Sequence, residues 1–212
     1  MTALAARGIS YGYRRDRPVI DRLDLDVAAG SLTALTGRSG RGKSTLLYLL
    51  AGVLTPWRGE VRLGGRSLHA GSDATRSSFR ARNFGFIFQD VVLDARRSIL
   101  DAILEPCLYA GASKRALAGR ARSLMAELDV DLDPAALPGQ ISGGQAQRIG
   151  VCRALLLSPR VVFADEPTGN LDNDSTEAVA SALRRAAAEG CTVLVATHDD
   201  RVVRHCSATV NL

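Results

Sequence analysis

The sequence predicts an α/β domain built around a largely parallel sheet, and three stretches carry that expectation. Ser31–Leu35 is a short β-like run that leads through a glycine-rich loop into an apolar helix, Lys43 to about Ala51. Val161–Ala164 and Thr192–Ala196 are unbroken apolar runs between chain breakers, as expected of strands buried on both faces. Between them lies an Ala-rich helical stretch, Asp174 to Glu189, with Gly190 placed to end it in the left-handed conformation. Strand–helix–strand order at both ends, with a helical middle, implies a parallel core interrupted by an insert.

The remaining elements follow in order. Val61, Leu63 and Gly64-Gly65 read as a strand entering a hairpin turn. His69 to Asn83 is polar and basic, a solvated loop with a short helix, and Phe84–Phe88 reads as another strand. Ser98 can cap a helix that carries Asp101 in its first turn and that Pro106 should end or kink. From Ser113 onward, Leu117, Ala121, Leu124 and Leu128 recur at helical spacing and form one apolar stripe. Gln145 to about Leu157 is a further helix, stopped at Ser158 by Pro159. No internal repeat or low-complexity linker is present.

Composition narrows the class. The 212 residues are 46% hydrophobic, which favours a buried core over disorder. No stretch approaches 18 uninterrupted apolar residues and Met1–Ser10 lacks a secretory apolar run, so a cytosolic chain with no membrane pathway of its own is expected. Cys107, Cys152, Cys191 and Cys206 have no Cys-x-x-Cys spacing and read as buried thiols; His205 beside Cys206 is discounted as a metal site. The net charge of +5 is almost all arginine, since lysine occurs only at 43 and 114. A nucleic acid or an anionic membrane could be its partner. No dense basic block interleaves with aromatics, however, and compositional bias is the preferred reading.

Three motifs carry chemistry. Gly37-Arg38-Ser39-Gly40-Arg41-Gly42-Lys43-Ser44-Thr45 fits the Walker A pattern. Its glycines let backbone N–H groups converge on phosphate oxygens, Lys43 would reach the β- and γ-phosphates, and the Ser44 hydroxyl would bind Mg²⁺. Val161–Glu166 delivers two carboxylates at the end of a buried strand, where open α/β sheets place ligands. Asp165 would hold Mg²⁺ through water and Glu166 would polarise the attacking water. Ser142-Gly143-Gly144 opens a helix without a Cβ at two positions, a second anion-receptive terminus suited to a γ-phosphate.

With the Walker A loop and the acidic strand in place, Ser142-Gly143-Gly144-Gln145 resembles the signature of ATP-binding-cassette (ABC) ATPases, and the resemblance covers essentially the whole chain. It implies a P-loop NTPase core, residues 1–89 and 160–212, with an N-terminal antiparallel β subdomain, and a helical subdomain over 90–159. In that family the signature faces a nucleotide held by the other subunit, so two chains sandwich two ATPs and a homodimer is expected. Tyr13 matches the aromatic that stacks on adenine, with Tyr11 as the alternative. Gln89 matches the Q-loop glutamine that senses Mg²⁺, Asn170-Leu171-Asp172 the D-loop crossing the dimer interface, and His198 the switch histidine at the γ-phosphate. Ile141 and Ala146 depart from the commoner leucine and glutamine without removing a catalytic group. A competent ATPase is implied. The chain stops soon after His198, so no regulatory domain is expected.

Ala164–Asp172 and Phe84–Gln89 look like the group containing lipoprotein-release, macrolide-export and cell-division ATPases. This implies an integral membrane permease as partner, export or mechanotransmission as the work done, and attachment through that partner to the inner face of the cell membrane. Asp90 to Ala110 would dock the permease's coupling element, or else simply pack as helix. The alternative is a soluble ABC ATPase acting on ribosomes or DNA; such members generally have two cassettes or long coiled coils, and neither feature is here. A nucleotide kinase would not explain residues 142–145.

Overall fold

Unbroken apolar runs force strands into a position where both faces are covered, and the fold is organised around two of them. The computed structural model describes residues 2–38, 40–169 and 171–212. In chain order the elements are β1 (Thr2–Tyr11), β2 (Ile20–Ala28), β3 (Leu32–Thr36), α1 (Lys43–Leu50), β4 (Arg58–Leu63), β5 (Arg66–Ser67), α2 (Asp73–Asn83) and β6 (Phe84–Ile87). There follow α3 (Ile99–Ile103), α4 (Pro106–Ala110), α5 (Lys114–Glu127), α6 (Gly143–Leu155), β7 (Val161–Asp165), α7 (Asn173–Ala188), β8 (Thr192–Ala196), α8 (Asp200–Val203) and β9 (Ala208–Asn211).

Five strands form a parallel sheet in the order β6-β7-β8-β3-β9. Every residue of β7 and β8 is buried. Their side chains alternate between two cores. Val162, Ala164, Val193 and Val195 join Ile99, Ile103, Leu128, Ile149 and Val179 of the helices on one face. Val161, Phe163, Leu194 and Ala196 join Leu46, Leu47, Leu49 and Leu50 of α1 and the strands of a second sheet on the other. That second sheet is antiparallel, order β2-β1-β4-β5. Helix α1 is thus sandwiched between the sheets, which explains why its apolar residues do not keep to one stripe. Full burial of each Val, Leu or Phe in these cores contributes about 1.5–3 kcal/mol.

Ser98 caps α3 through its side chain as expected, and Ser113 and Ser142 cap α5 and α6 in the same way. Pro106 occupies the first turn of α4, so it starts a new helix at the point where it ends the previous one. The polar stretch from His69 holds an 11-residue helix, α2, with no buried residue. Helix α6 stops at Leu155, earlier than the apolar pattern, because the Arg120 guanidinium takes the Leu155 and Leu156 carbonyls (3.3 and 2.9 Å) and Ser158 turns left-handed before Pro159. Strands β1 and β2 form part of the N-terminal antiparallel β subdomain that the resemblance implied, though neither was read from its residues, and β9 has no counterpart in the sequence reading. β1 is irregular, with three register shifts against β2 that break its alternation.

The insert helices rest on the sheet at very short range. A Cβ at Gly85 in β6 would overlap the Ala154 carbonyl oxygen of α6, and Gly85 needs no left-handed angle, so close approach alone requires the glycine. Gly85→Ala is therefore expected to destabilise the chain by about 1–3 kcal/mol through overpacking, read as a lowered midpoint in urea.

Candidate functional site

Parallel strands end together, and the loops after β3, β7 and β8 meet at one edge of the sheet. The phosphate-type loop leaves β3 at Thr36 and re-enters structure at α1. Gly37, Gly40 and Gly42 take positive φ angles of 140°, 79° and 92°, backbone that L side chains rarely adopt. Gly42 is also the N-cap of α1, and a Cβ there would sit 2.6 Å from Val19 Cγ1. Arg38 and Arg41 are exposed, Thr45 is buried, and Ser39 lies outside the described residues. Lys43 Nζ donates to the Gly37 carbonyl (2.9 Å), so its ammonium is folded back over the loop.

The acidic strand end lies beside this loop. Ser44 Oγ donates to Asp165 Oδ1 at 3.0 Å, a contact between residues 121 positions apart. Asp165 is 7% exposed. Burial pushes its carboxyl above the ordinary range and the neighbouring Glu166 charge adds to that, while Ser44, Lys43 and the Tyr48 hydroxyl oppose it. Gln89 and Asp165 line one cavity with Tyr48, Phe88, Asp90, Val92 and Arg153. The oxygen donors gathered here are of the kind a hard divalent cation takes.

Glu166 is held in the left-handed region (φ 44°) with its N–H donating to the Ala196 carbonyl (2.9 Å). Its Oε1 lies 2.9 Å from His198 Nδ1; the carboxylate is mostly buried and the imidazole is 77% exposed. The two loops are tied further by residues that the sequence reading missed. Thr168 donates to Asp199 (3.2 Å), and Asp199 receives the Arg201 guanidinium, which holds its carboxyl below the usual range. Arg201 also bonds Asn173 at the start of α7. An Asp-x-Arg spacing is too common in sequence to have marked this network.

Tyr13 is exposed and its hydroxyl bonds Thr45 Oγ1 (3.2 Å), so the ring leans toward the glycine-rich loop. Tyr11 is instead half-buried against Trp57 and the edge of Tyr13. Ser142 caps α6 and Gly143, Gly144 and Gln145 open it; the helix packs on β6, α3, α5 and α7. Ser142 Oγ accepts from Gln145 N (3.2 Å) and Gln145 Oε1 accepts from Ser142 N (2.8 Å), a complete capping box. A Cβ at Gly144 would be 3.3 Å from Leu171 Cδ2, which puts the signature against the D-loop segment. Asp172 caps α7 by accepting from Ser175 N (2.8 Å); Asn170 lies outside the described residues.

Burial and the neighbouring Glu166 charge disfavour the charged form of the Asp165 carboxyl. Asp165→Asn is expected to raise the melting temperature of the nucleotide-free, metal-free chain at pH 7. Because the folded-state pKa is raised, the wild-type penalty fades as pH falls through it, and the advantage of the variant should shrink in acid. Equal melting curves at neutral pH would show that the carboxylate carries no such penalty.

The model of the ABC transporter family matches residues 20–169. The chain is 38% identical over 206 residues to the lipoprotein-releasing system ATP-binding protein LolD of Chromohalobacter salexigens, covering 95% of this chain and 87% of that one. It is 39% identical over 194 residues to the macrolide export ATP-binding/permease protein MacB 1/2 of Paracoccus denitrificans, covering 92% of this chain but 29% of that longer one. The dimeric structure of the bacterial ABC transporter cassette MJ0796 superposes with a TM-score of 0.90 at 28% identity, over 99% of this chain and 94% of that one. Its dimeric post-hydrolysis state bound to ADP and Pi superposes at 0.87 and 26% identity, with the same coverage. The chain belongs to the ABC transporter family and is one of its ATP-binding, ATP-hydrolysing subunits.

Proposed function

We propose that this ATPase works as a homodimer that sandwiches ATP and powers a separate integral membrane permease, in export or mechanotransmission, from the inner face of the cell membrane. The observation that carries the reading is the 3.0 Å contact between Ser44 and Asp165, which joins the phosphate loop to the acidic strand end. The described residues include no helix long and apolar enough to cross a membrane.

Backbone N–H groups of residues 40–45 and the start of α1 would cradle the phosphates, and Tyr13 would stack on the adenine. Lys43 exchanges its Gly37 carbonyl for the β- and γ-phosphates. Ser44, Asp165 and Gln89 fit Mg²⁺ by their oxygen donors and by the buried Asp165 charge. Bound there, the ion would neutralise phosphate oxygens. Glu166, turned inward by its left-handed backbone, orients the attacking water. His198 steadies that carboxylate and meets the γ-phosphate. Ser142, Gly143 and Gly144 of the second copy close over the nucleotide, with Asp172 in the segment that crosses the interface. The division into a core over 1–89 and 160–212 and a helical unit over 90–159 is part of this reading. Closure follows from a higher affinity of the closed dimer for ATP, and hydrolysis releases it.

The permease is expected to dock where the helical insert meets the core. A groove of about 590 Å³ lies between α2, β6 and α4, lined by Arg80, Phe84, Phe86, Phe88, Tyr109 and Arg153 among others. Phe88, Val92, Leu108 and Tyr109 are large apolar side chains left exposed at or beside it. An amphipathic helical element of the permease, with an apolar face toward these rings, fits that surface.

Glu166→Gln is expected to bind ATP, lose roughly 10²–10⁴-fold in turnover and accumulate as an ATP-bound dimer in size-exclusion chromatography. Wild-type turnover in that variant would sink the assignment. Tagged Glu166→Gln chain, incubated with ATP and solubilised native membranes, should recover an integral membrane protein in stoichiometric amount. Adding Tyr109→Glu should cut that recovery by at least about tenfold. Recovery of ribosomal or DNA-bound proteins alone would favour a soluble cassette instead.

A further inference from the structure

Helix α6 grips the segment that follows β6 at three successive points along one face. Gln147 is 5% exposed, and its Nε2 donates 3.0 Å to the carbonyl of Phe88. That carbonyl belongs to the peptide unit whose N–H is Gln89's own. Three residues on, Gly150 is buried and receives Val91: a Cβ there would meet Val91 Cγ2 at 2.7 Å. Three further on, Arg153 donates to the Val92 carbonyl (3.4 Å) and to Glu105 (3.3 Å). Residues three apart lie on neighbouring turns of one helical face. Donor, notch and guanidinium therefore form a continuous seat for residues 88–92.

We propose that Gln147 is a positioning residue for ATP hydrolysis: its bond to the Phe88 carbonyl fixes the segment bearing Gln89 to the helix whose first turn is Ser142-Gly143-Gly144. This rests on the function proposed above and names a device inside it. Gln89 lines the cavity with Asp165, in the chain's own phosphate site. The N-terminus of α6 faces the nucleotide of the second copy. With the clasp intact, a shift of Gln89 toward its own γ-phosphate displaces α6 as a rigid body and so moves the surface offered to the other ATP. Without it, residues 88–92 follow their nucleotide while α6 stays behind. A buried amide has four hydrogen-bonding positions and costs free energy if left unpaired, so the choice of Gln over Leu or Met at 147 calls for a partner, and the partner is the Q-loop backbone.

The test compares Gln147→Met, which keeps the volume and removes the donor, with the wild-type chain, and repeats the comparison in the Glu166→Gln background. Affinity for a fluorescent ATP analogue is expected to stay within about twofold, since the Walker A loop is untouched. Turnover should fall roughly 10–100-fold at unchanged KM, the cost of a misplaced group, and ATP should no longer assemble the Glu166→Gln dimer. Unchanged turnover and dimerisation would overturn the proposal, as would a loss of turnover matched by an equal loss of folded chain in the melting curve. Should Gln147→Met fail to fold, Gly150→Ala decides: it should uncouple in the same way by pushing out Val91, and Val91→Ala added to it should restore turnover and dimer. No effect of Gly150→Ala, or no recovery in the double variant, would overturn the proposal. A wild-type chain that hydrolyses no ATP removes the underlying reading and this one together. An active wild type beside an unaffected Gln147→Met removes this one alone.

Discussion

Everything at the site depends on β7 being buried on both faces. A strand in the middle of a parallel sheet can end only at the sheet's edge, and at that edge its neighbours β8 and β6 end as well. The alternation of Val161 and Phe163 toward one core and Val162 and Ala164 toward the other locks the register. A slip of one residue would exchange the two faces and carry Asp165 off the Ser44 hydroxyl. Placement of the carboxylates is therefore a by-product of core packing, and it needs no flexible loop to deliver them.

That placement has a cost, concentrated at two adjacent residues. Asp165 is desolvated, and its carboxyl is pushed up because the charge has only a hydroxyl donor, a phenol and the nearby ammonium of Lys43 to offset it. Glu166 occupies a left-handed backbone that usually costs a non-glycine residue about 1–3 kcal/mol. The surroundings enforce it: the Glu166 N–H is pinned to the Ala196 carbonyl, and its side chain is met by His198. Strain and desolvation both sit where phosphate and cation charge would be received. This is the pattern expected when a site is prepared for a ligand that relieves it.

The legible parts of the chain were those whose chemistry requires a residue type at a fixed spacing. The glycine-rich run before Lys43 announced a phosphate-binding loop, Ser142-Gly143-Gly144 the start of a helix, and the runs at 161 and 192 buried parallel strands. What stayed hidden depends on partners remote in sequence. β2 does alternate at Leu23, Leu25 and Val27, but its ladder partner is β1, whose own alternation is broken by register shifts. β9 is a short, mostly exposed edge strand, visible only once β3 is there to pair with it. The Thr168–Asp199–Arg201 tie could not be read either, because it joins two loops that only the sheet brings together. Gln145 carried a second meaning: the residue that marks the signature is also the one whose side chain closes the helix cap.

Helix α6 links these layers. Its 13 residues span about 20 Å, with the capped Ser142 end at one extreme and Arg153 and Ala154, which line the apolar groove, near the other. The helix touches β6 backbone to backbone at Gly85. On the proposed function, a contact made in the groove and a phosphate received at the capped end would act on the same stiff element. Any coupling between them would be carried by the whole helix, because a hydrogen-bonded helix held at both ends by Arg120 and by its capping box has no cheap way to bend.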